Sequence, residues 1–295
     1  MRYKKFGSTG KDISVLCLGT WALGGKQFGA VTQEDAVAAV HAMIDCGVNI
    51  VDTAPIYASG GSEEVLGKAL QGGYRDKVFL ITKFGSEFVD PNDSDKGTIK
   101  DSSRKNMLKS IDASLKRLQT DYIDLLLIHQ PFNDYYGTWR AMEEAYKAGK
   151  LRAIGVSNFQ IGDLNSLLEG CTVKPMVNQI LLHISNTPLE LVEFCQNNGI
   201  AVEAYSPIAH GEILHQPEIQ AMAEKYGVAV PQLCIRYTLQ LGAVSLPKTA
   251  NPAHMETNAA VDFAISAEDM ETLKHFKHIE SYGASSGFPV YGGKL

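Results

Sequence analysis

Eight short apolar runs of strand length alternate with segments of helix length along this chain. They lie near residues 15–19, 47–51, 78–82, 122–128, 152–156, 175–179, 200–204 and 243–246. Each run is apolar throughout instead of alternating with polar residues. That pattern predicts parallel strands covered on both faces. Eight such units in a chain of 295 residues suit a closed barrel better than an open sheet, which usually has about five or six strands. No low-complexity linker and no repeat of fixed spacing interrupts them. The expected fold is α/β, a (β/α)8 barrel forming one domain over residues 1–295.

The segments between the runs carry helix signals. Thr32-Gln33-Glu34-Asp35 reads as an N-cap followed by acids in the first turn. Ser102 or Ser103 can cap a helix whose Met107, Ile111, Leu115 and Leu118 recur at helical spacing. Leu191, Phe194 and Cys195 mark another inward stripe, and Leu233, Tyr237 and Leu241 a further one. Before the regular pattern, Tyr3–Phe6 and Asp12–Val15 flank the turn-rich Gly7-Ser8-Thr9-Gly10. This predicts a hairpin that caps the bottom of the barrel. The polar insert from Gly85 to Lys100 is expected to be a mobile loop. The glycine-rich tail after His278, with Tyr282, Phe288 and Tyr291, is expected to lie over a surface.

Composition narrows the class. The chain is 45% hydrophobic and 20% charged, enough for a sizeable core. Its net charge of −6, without a long basic run, argues against nucleic acid as a partner. No apolar run approaches the ~20 residues of a membrane span, and the basic start Met1–Gly7 lacks the apolar core of a signal peptide. The five cysteines are scattered, odd in number and without CxxC spacing. That points to a reducing compartment and away from a disulfide framework or a zinc site. A cytoplasmic location with no membrane partner is expected.

In a barrel all strands point the same way, so their carboxyl ends share one rim. Polar residues close nearly every run: Thr20-Trp21, Asp52, Lys83, His129, Ser157-Asn158, Gln179, Tyr205-Ser206 and Lys248-Thr249. One polar residue at a strand end means only that the strand has reached water. Eight in series, with complementary chemistry, mean more. A carboxylate such as Asp52 at the end of a buried strand needs a cation, and Lys83 and His129 are candidates. Tyr57 follows the turn at Pro55. These four gathered at one mouth would form a proton-delivery device. A metal reading, with His129, Asp52 and a third ligand, has no HxH or HExxH spacing behind it, so no metal is expected.

The rim motifs resemble those of the aldo-keto reductases. They are Leu18-Gly19-Thr20-Trp21, Val51-Asp52-Thr53-Ala54 with Tyr57, Thr82-Lys83, and Thr120–Leu125 with His129-Gln130-Pro131. Gly149–Phe159, Asn178-Gln179, Ala204–Pro207 and Leu246-Pro247-Lys248 complete the series, in family order. The resemblance implies NAD(P)H-dependent reduction of aldehydes or ketones by a monomer. It assigns the catalytic roles to Asp52, Tyr57, Lys83 and His129. Chemistry agrees with that set. Carbonyl reduction needs a hydride on carbon and a proton on oxygen. A tyrosine, with a pKa of about 10, keeps its proton at neutral pH. A nearby ammonium eases loss of that proton, a carboxylate keeps the ammonium charged, and a histidine N–H can polarise the carbonyl.

The chain has neither GxGxxG nor a P-loop, so a nicotinamide cofactor would lie extended across the rim. The resemblance assigns Ser157, Asn158 and Gln179 to its carboxamide and Tyr205 to stacking on its ring. Ser206, Pro207 and Ile208 would run over the pyrophosphate, and Lys248 and Thr249 would meet the 2′-phosphate. Thr20, Trp21, Asp52 and Asn258 complete the expected cofactor contacts. His254 stands where the family commonly has an arginine. A mostly neutral imidazole predicts a weaker preference for NADPH, with NADH also accepted. Trp21, Phe84 and Phe159, with Tyr57 and His129, are expected to wall the substrate pocket, and His210 and the tail aromatics to close it. Two rivals remain at this point. One is a barrel lyase using Lys83 as a Schiff base; the other is a cofactor-binding regulatory protein with little turnover.

Overall fold

A computed structural model describes residues 1–21, 23–24, 32–85, 87–90, 93–99, 103–131, 135–247 and 252–279. The first elements are β1 (Tyr3–Lys5) and β2 (Asp12–Ser14), an antiparallel pair joined through a 3-10 turn at Gly7–Thr9. Then follow β3 (Leu18–Gly19), α1 (Gln33–Asp45), β4 (Ile50–Asp52), α2 (Gly61–Ala69), β5 (Phe79–Phe84), β6 (Glu87–Asp90), β7 (Asp93–Ile99), α3 (Arg104–Leu118), β8 (Leu125–Ile128), α4 (Tyr135–Lys147) and β9 (Ile154–Ser157). The chain continues through α5 (Ile161–Gly170), β10 (Val177–Leu181), α6 (Leu189–Asn197), β11 (Ala201–Tyr205), α7 (Pro217–Lys225), α8 (Val230–Gln240), β12 (Val244–Leu246), α9 (Pro252–Ala259) and α10 (Ala267–Lys274).

The eight-stranded sheet runs β3-β4-β5-β8-β9-β10-β11-β12, every pair parallel. Its two edges meet. Ser245 N donates to Val15 O at 3.0 Å and Cys17 N to Ser245 O at 2.9 Å. All eight expected strands are therefore present and the barrel closes at its seam. The expected caps hold too. Thr32 accepts from Asp35 N, and Ser103 accepts from Asn106 N. Within the polar insert, β6 and β7 pair antiparallel.

Strand alternation decides what fills the barrel. Phe79, Ile81, Leu125 and Leu127 pack inward with Ile50, Val177 and Val244. Leu126, Ile128, Ile154 and Val156 face outward against Met107, Ile111 and Trp139 on the helices. Gly155 lies where β9 and β10 approach closely. A Cβ there would stand 2.7 Å from Val177 O and 2.8 Å from Leu127 Cδ2, so a side chain has no room. The hairpin plugs the lower end. Phe6 and Ile13 are fully buried in the inner cluster, and Phe6 meets Phe79 edge-on at 5.8 Å. Truncating Phe6 to alanine would cost about 3–5 kcal/mol. With the bottom sealed, the open end is the one where the strands finish.

Candidate active site

β4 ends on Asp52, and Lys83 is the second-last residue of β5. On β5, Ile81 and Lys83 share the inward face, so the lysine rises up the barrel axis under the mouth. Its Nζ stands 2.6 and 2.7 Å from the two Asp52 oxygens, 3.0 Å from Thr53 O and 3.2 Å from the Tyr57 hydroxyl. Lys83 and Asp52 are each only 1% exposed. Tyr57 opens a tight turn in which Ala58 and Ser59 take φ of 50° and 53°. Its ring stands edge-on to His129 with centroids 6.2 Å apart. Four side chains from three strand ends thus meet at one point.

Burial alone would lower the Lys83 pKa, but Asp52 and Tyr57 outweigh it and the net shift is upward. The ammonium keeps its charge. Burial raises the Tyr57 pKa; Lys83 pulls it down, Asp52 pushes it up, and the net shift is upward. The expected easing by the ammonium is therefore present but outweighed by burial, and the phenol holds its proton firmly. Burial, then Lys83, lowers His129 to about 3. His129 is a neutral imidazole, able to donate one N–H but not to act as a cationic acid.

The network continues around the rim. Gln179 Nε2 donates to Asp52 Oδ2 at 2.9 Å and to Glu203 Oε2 at 2.7 Å. Ser157 Oγ donates to Gln179 O at 2.9 Å. Asn158 Nδ2 donates to His129 O and to Ser157 Oγ, both at 3.1 Å. Tyr205 OH donates to Asn158 Oδ1 at 2.7 Å. Backbone strain gathers here. Ala58, Ser59, Asn158, Ser206, Ala209 and His210 all have positive φ in loops that follow strand ends.

Other expected site residues fall as follows. Thr20 is buried, and its hydroxyl donates to Asp52 O at 2.9 Å, so it braces the strand end. Trp21 is 39% exposed at the mouth, its ring 6.2 Å from that of His210. Ser206, Pro207 and Ile208 lead from β11 into a short 3-10 segment. His254 is exposed on α9 and Asn258 on the same helix is buried. Lys248, Thr249 and the tail aromatics lie outside the described residues. Phe84 and Phe159 do not wall the mouth. Both are buried in the layer between sheet and helices with Met107, Trp139 and Leu164. For Phe84 the reason is alternation: with Lys83 facing in, it must face out.

Sequence reasoning missed Glu203, fully buried on β11, and Cys17, fully buried beside it. The signal was a lone carboxylate inside the apolar run 200–204. It also missed Glu63. This buried residue accepts from Thr82 Oγ1 at 2.7 Å and from Arg117 Nε at 2.6 Å, tying α2 to β5 and α3. Among the described residues, no group of three or more potential ligands could hold a metal ion, and no helix is long and apolar enough to cross a membrane.

Residues 15–278 match the family model described as the aldo/keto reductase family. The chain belongs to that family. It is an NAD(P)H-dependent oxidoreductase. Among curated proteins it is 38% identical to a glyoxal reductase of Bacillus subtilis over 253 residues, covering 84% of this chain and 86% of that one. Among solved structures it is similar to an aldo-keto reductase from Klebsiella pneumoniae in complex with NADPH, with a TM-score of 0.80 and 32% identity. That match covers 92% of this chain and 94% of the other. A silkworm (Bombyx mori) aldo-keto reductase matches with a TM-score of 0.80 and 32% identity, covering 94% of this chain and 88% of its own.

Proposed function

We propose that this aldo-keto reductase reduces aldehydes and ketones to alcohols with NADPH as hydride donor and Tyr57 as proton donor. One observation carries the assignment: the Tyr57 hydroxyl stands 3.2 Å from a buried ammonium that is itself clamped by both oxygens of Asp52. When bound, the cofactor supplies the hydride. The donor set suits its carboxamide, which both donates and accepts, because Ser157, Asn158 and Gln179 offer a hydroxyl and two amides. Gln179 turns its nitrogen toward Asp52 and Glu203, which directs its carbonyl oxygen away from them. The Tyr205 ring, tied to Asn158, would carry the stacked nicotinamide. Ser206, Pro207 and Ile208 would hold the pyrophosphate. Lys248 and Thr249, with His254 and Asn258 of α9, would hold the adenosine end, and NADH is accepted less well.

In the reaction, the substrate oxygen accepts from the Tyr57 hydroxyl and from a His129 N–H. The Tyr57 proton passes to that oxygen as hydride reaches the carbon, which gives the alcohol and a phenolate. Lys83 stabilises the phenolate, Asp52 keeps Lys83 charged, and solvent restores the proton. The ammonium also argues against the lyase rival. A Schiff base needs a neutral amine, whereas Lys83 is engaged by Asp52, Thr53 and Tyr57 and shifted toward its charged form. The exposed ring of Trp21, close to His210, would form the mouth that meets an apolar substrate body. We read the chain as a single-domain cytoplasmic monomer; its five free cysteines suit a reducing compartment.

The test follows NADPH absorbance with a panel of aldehydes that includes glyoxal. Tyr57→Phe should lower kcat roughly a thousandfold while NADPH binding, read by fluorescence, persists. Undiminished turnover in that variant would remove Tyr57 from its role.

A further inference from the structure

Glu203 lies on β11 with none of its surface exposed. Asp52 from β4, Lys83 from β5, Tyr57 from the turn after β4 and Cys17 from the seam all act on it or share its field. Its Oε2 accepts from Gln179 Nε2 at 2.7 Å, whereas its Oε1 has no hydrogen-bond partner. Lys83 spends its contacts on Asp52, Thr53 and Tyr57. Among the described residues, no cation pairs with Glu203. Only the thiol of Cys17 and the charge of Lys83, already paired with Asp52, ease it further, so a buried carboxylate here would be costly and a neutral carboxylic acid much less so. The two carboxyl groups also determine how Gln179 stands. Asp52 Oδ2 and the unprotonated Oε2 of Glu203 both accept from Gln179, and only its NH2 can serve two acceptors at once, so its carbonyl oxygen points the other way.

We propose that Glu203 is a positioning residue that works as the neutral acid: through Gln179 it orients the amide meant for the cofactor and spares Lys83 a second buried anion. This rests on the reductase reading above. Burial, then the neighbouring Asp52, raises the Glu203 pKa to about 7. Its ionisation therefore falls in the working pH range. The new anion would push the Tyr57 phenol further toward retaining its proton. Cys17 does not compete for the charge, because burial and then Glu203 raise its thiol well above the ordinary range. Reduction should therefore slow in a shallow step as pH rises through the Glu203 ionisation.

Infrared spectroscopy of the cofactor-free protein tests the protonation state without any turnover. The wild-type protein should show the C=O stretch of a protonated carboxylic acid that titrates near pH 7 and is missing in E203Q. In steady-state kinetics with NADPH, the step near neutral pH should disappear in E203Q. Absence of the band in the wild-type protein, or its survival in E203Q, overturns the proposal. So does a pH step that E203Q retains. If E203Q does not fold, the wild-type titration decides by itself. If no aldehyde or ketone is reduced, the reductase reading fails, and the infrared band still reports on Glu203 separately.

Discussion

Gln179 donates to the carboxylate of Asp52 across 2.9 Å, although 127 positions separate them in the chain. Asp52 accepts on its other side from Lys83. The Asp52 carboxylate is therefore the junction between the proton-delivery group and the amide rim, and disturbing it should be felt in both.

Breaking the buried pair from one side should be severe. Asp52→Leu leaves the Lys83 ammonium uncompensated and should cost about 3–5 kcal/mol of stability in urea denaturation, together with activity. Adding Lys83→Met should restore most of the stability and none of the turnover. If the double variant is no more stable than the single one, the pair does not act as a unit.

The pH dependence of reduction follows from Tyr57. Burial raises its pKa, with Lys83 opposing. The acid form is the working form, so activity is present below that pKa and lost as pH rises through it. The alkaline limb of kcat should therefore begin above the ordinary tyrosine value of about 10. A full loss of activity centred well below that value, and still present in E203Q, would assign the proton to another group.

Stability should also depend on pH through Glu203. Its folded pKa is about 7, against about 4.3 for a free glutamate. Between these values the unfolded chain has released a proton that the native state retains, so stability declines as pH rises from about 4.3 to 7 and then levels off. The loss is on the order of 4 kcal/mol. Melting of the wild-type protein and Glu203→Gln at pH 5 and pH 8 measures it. The variant should gain on the wild type at the higher pH, and parallel behaviour would place the proton elsewhere.

Cofactor preference should turn on His254. It is exposed on α9, and an imidazole lacks the planar fork with which a guanidinium grips a phosphate through two hydrogen bonds. The wild-type preference for NADPH over NADH should stay under about 1,000-fold, equivalent to about 4 kcal/mol. His254→Arg should raise it by about tenfold. The ratio of kcat/KM for the two cofactors is the readout, and an unchanged ratio would show that position 254 does not face the phosphate.

Much of the architecture was legible in the chain alone. Runs apolar throughout suggest parallel strands covered by helices on both faces, and eight of them suit a closed barrel better than an open sheet. Strand direction then carries Asp52, Lys83, His129 and Ser157 to one rim whatever the details of packing. The direction in which each side chain points was not legible. Phe84 and Lys83 are neighbours with equal claim on the mouth until the pleat sends one outward and the other inward. Nor could the chain show that burial would outweigh Lys83 in setting the acidity of Tyr57, or that Glu203 would share an amide with Asp52. A pKa depends on the distances and water around a group, and those exist only after the barrel has closed.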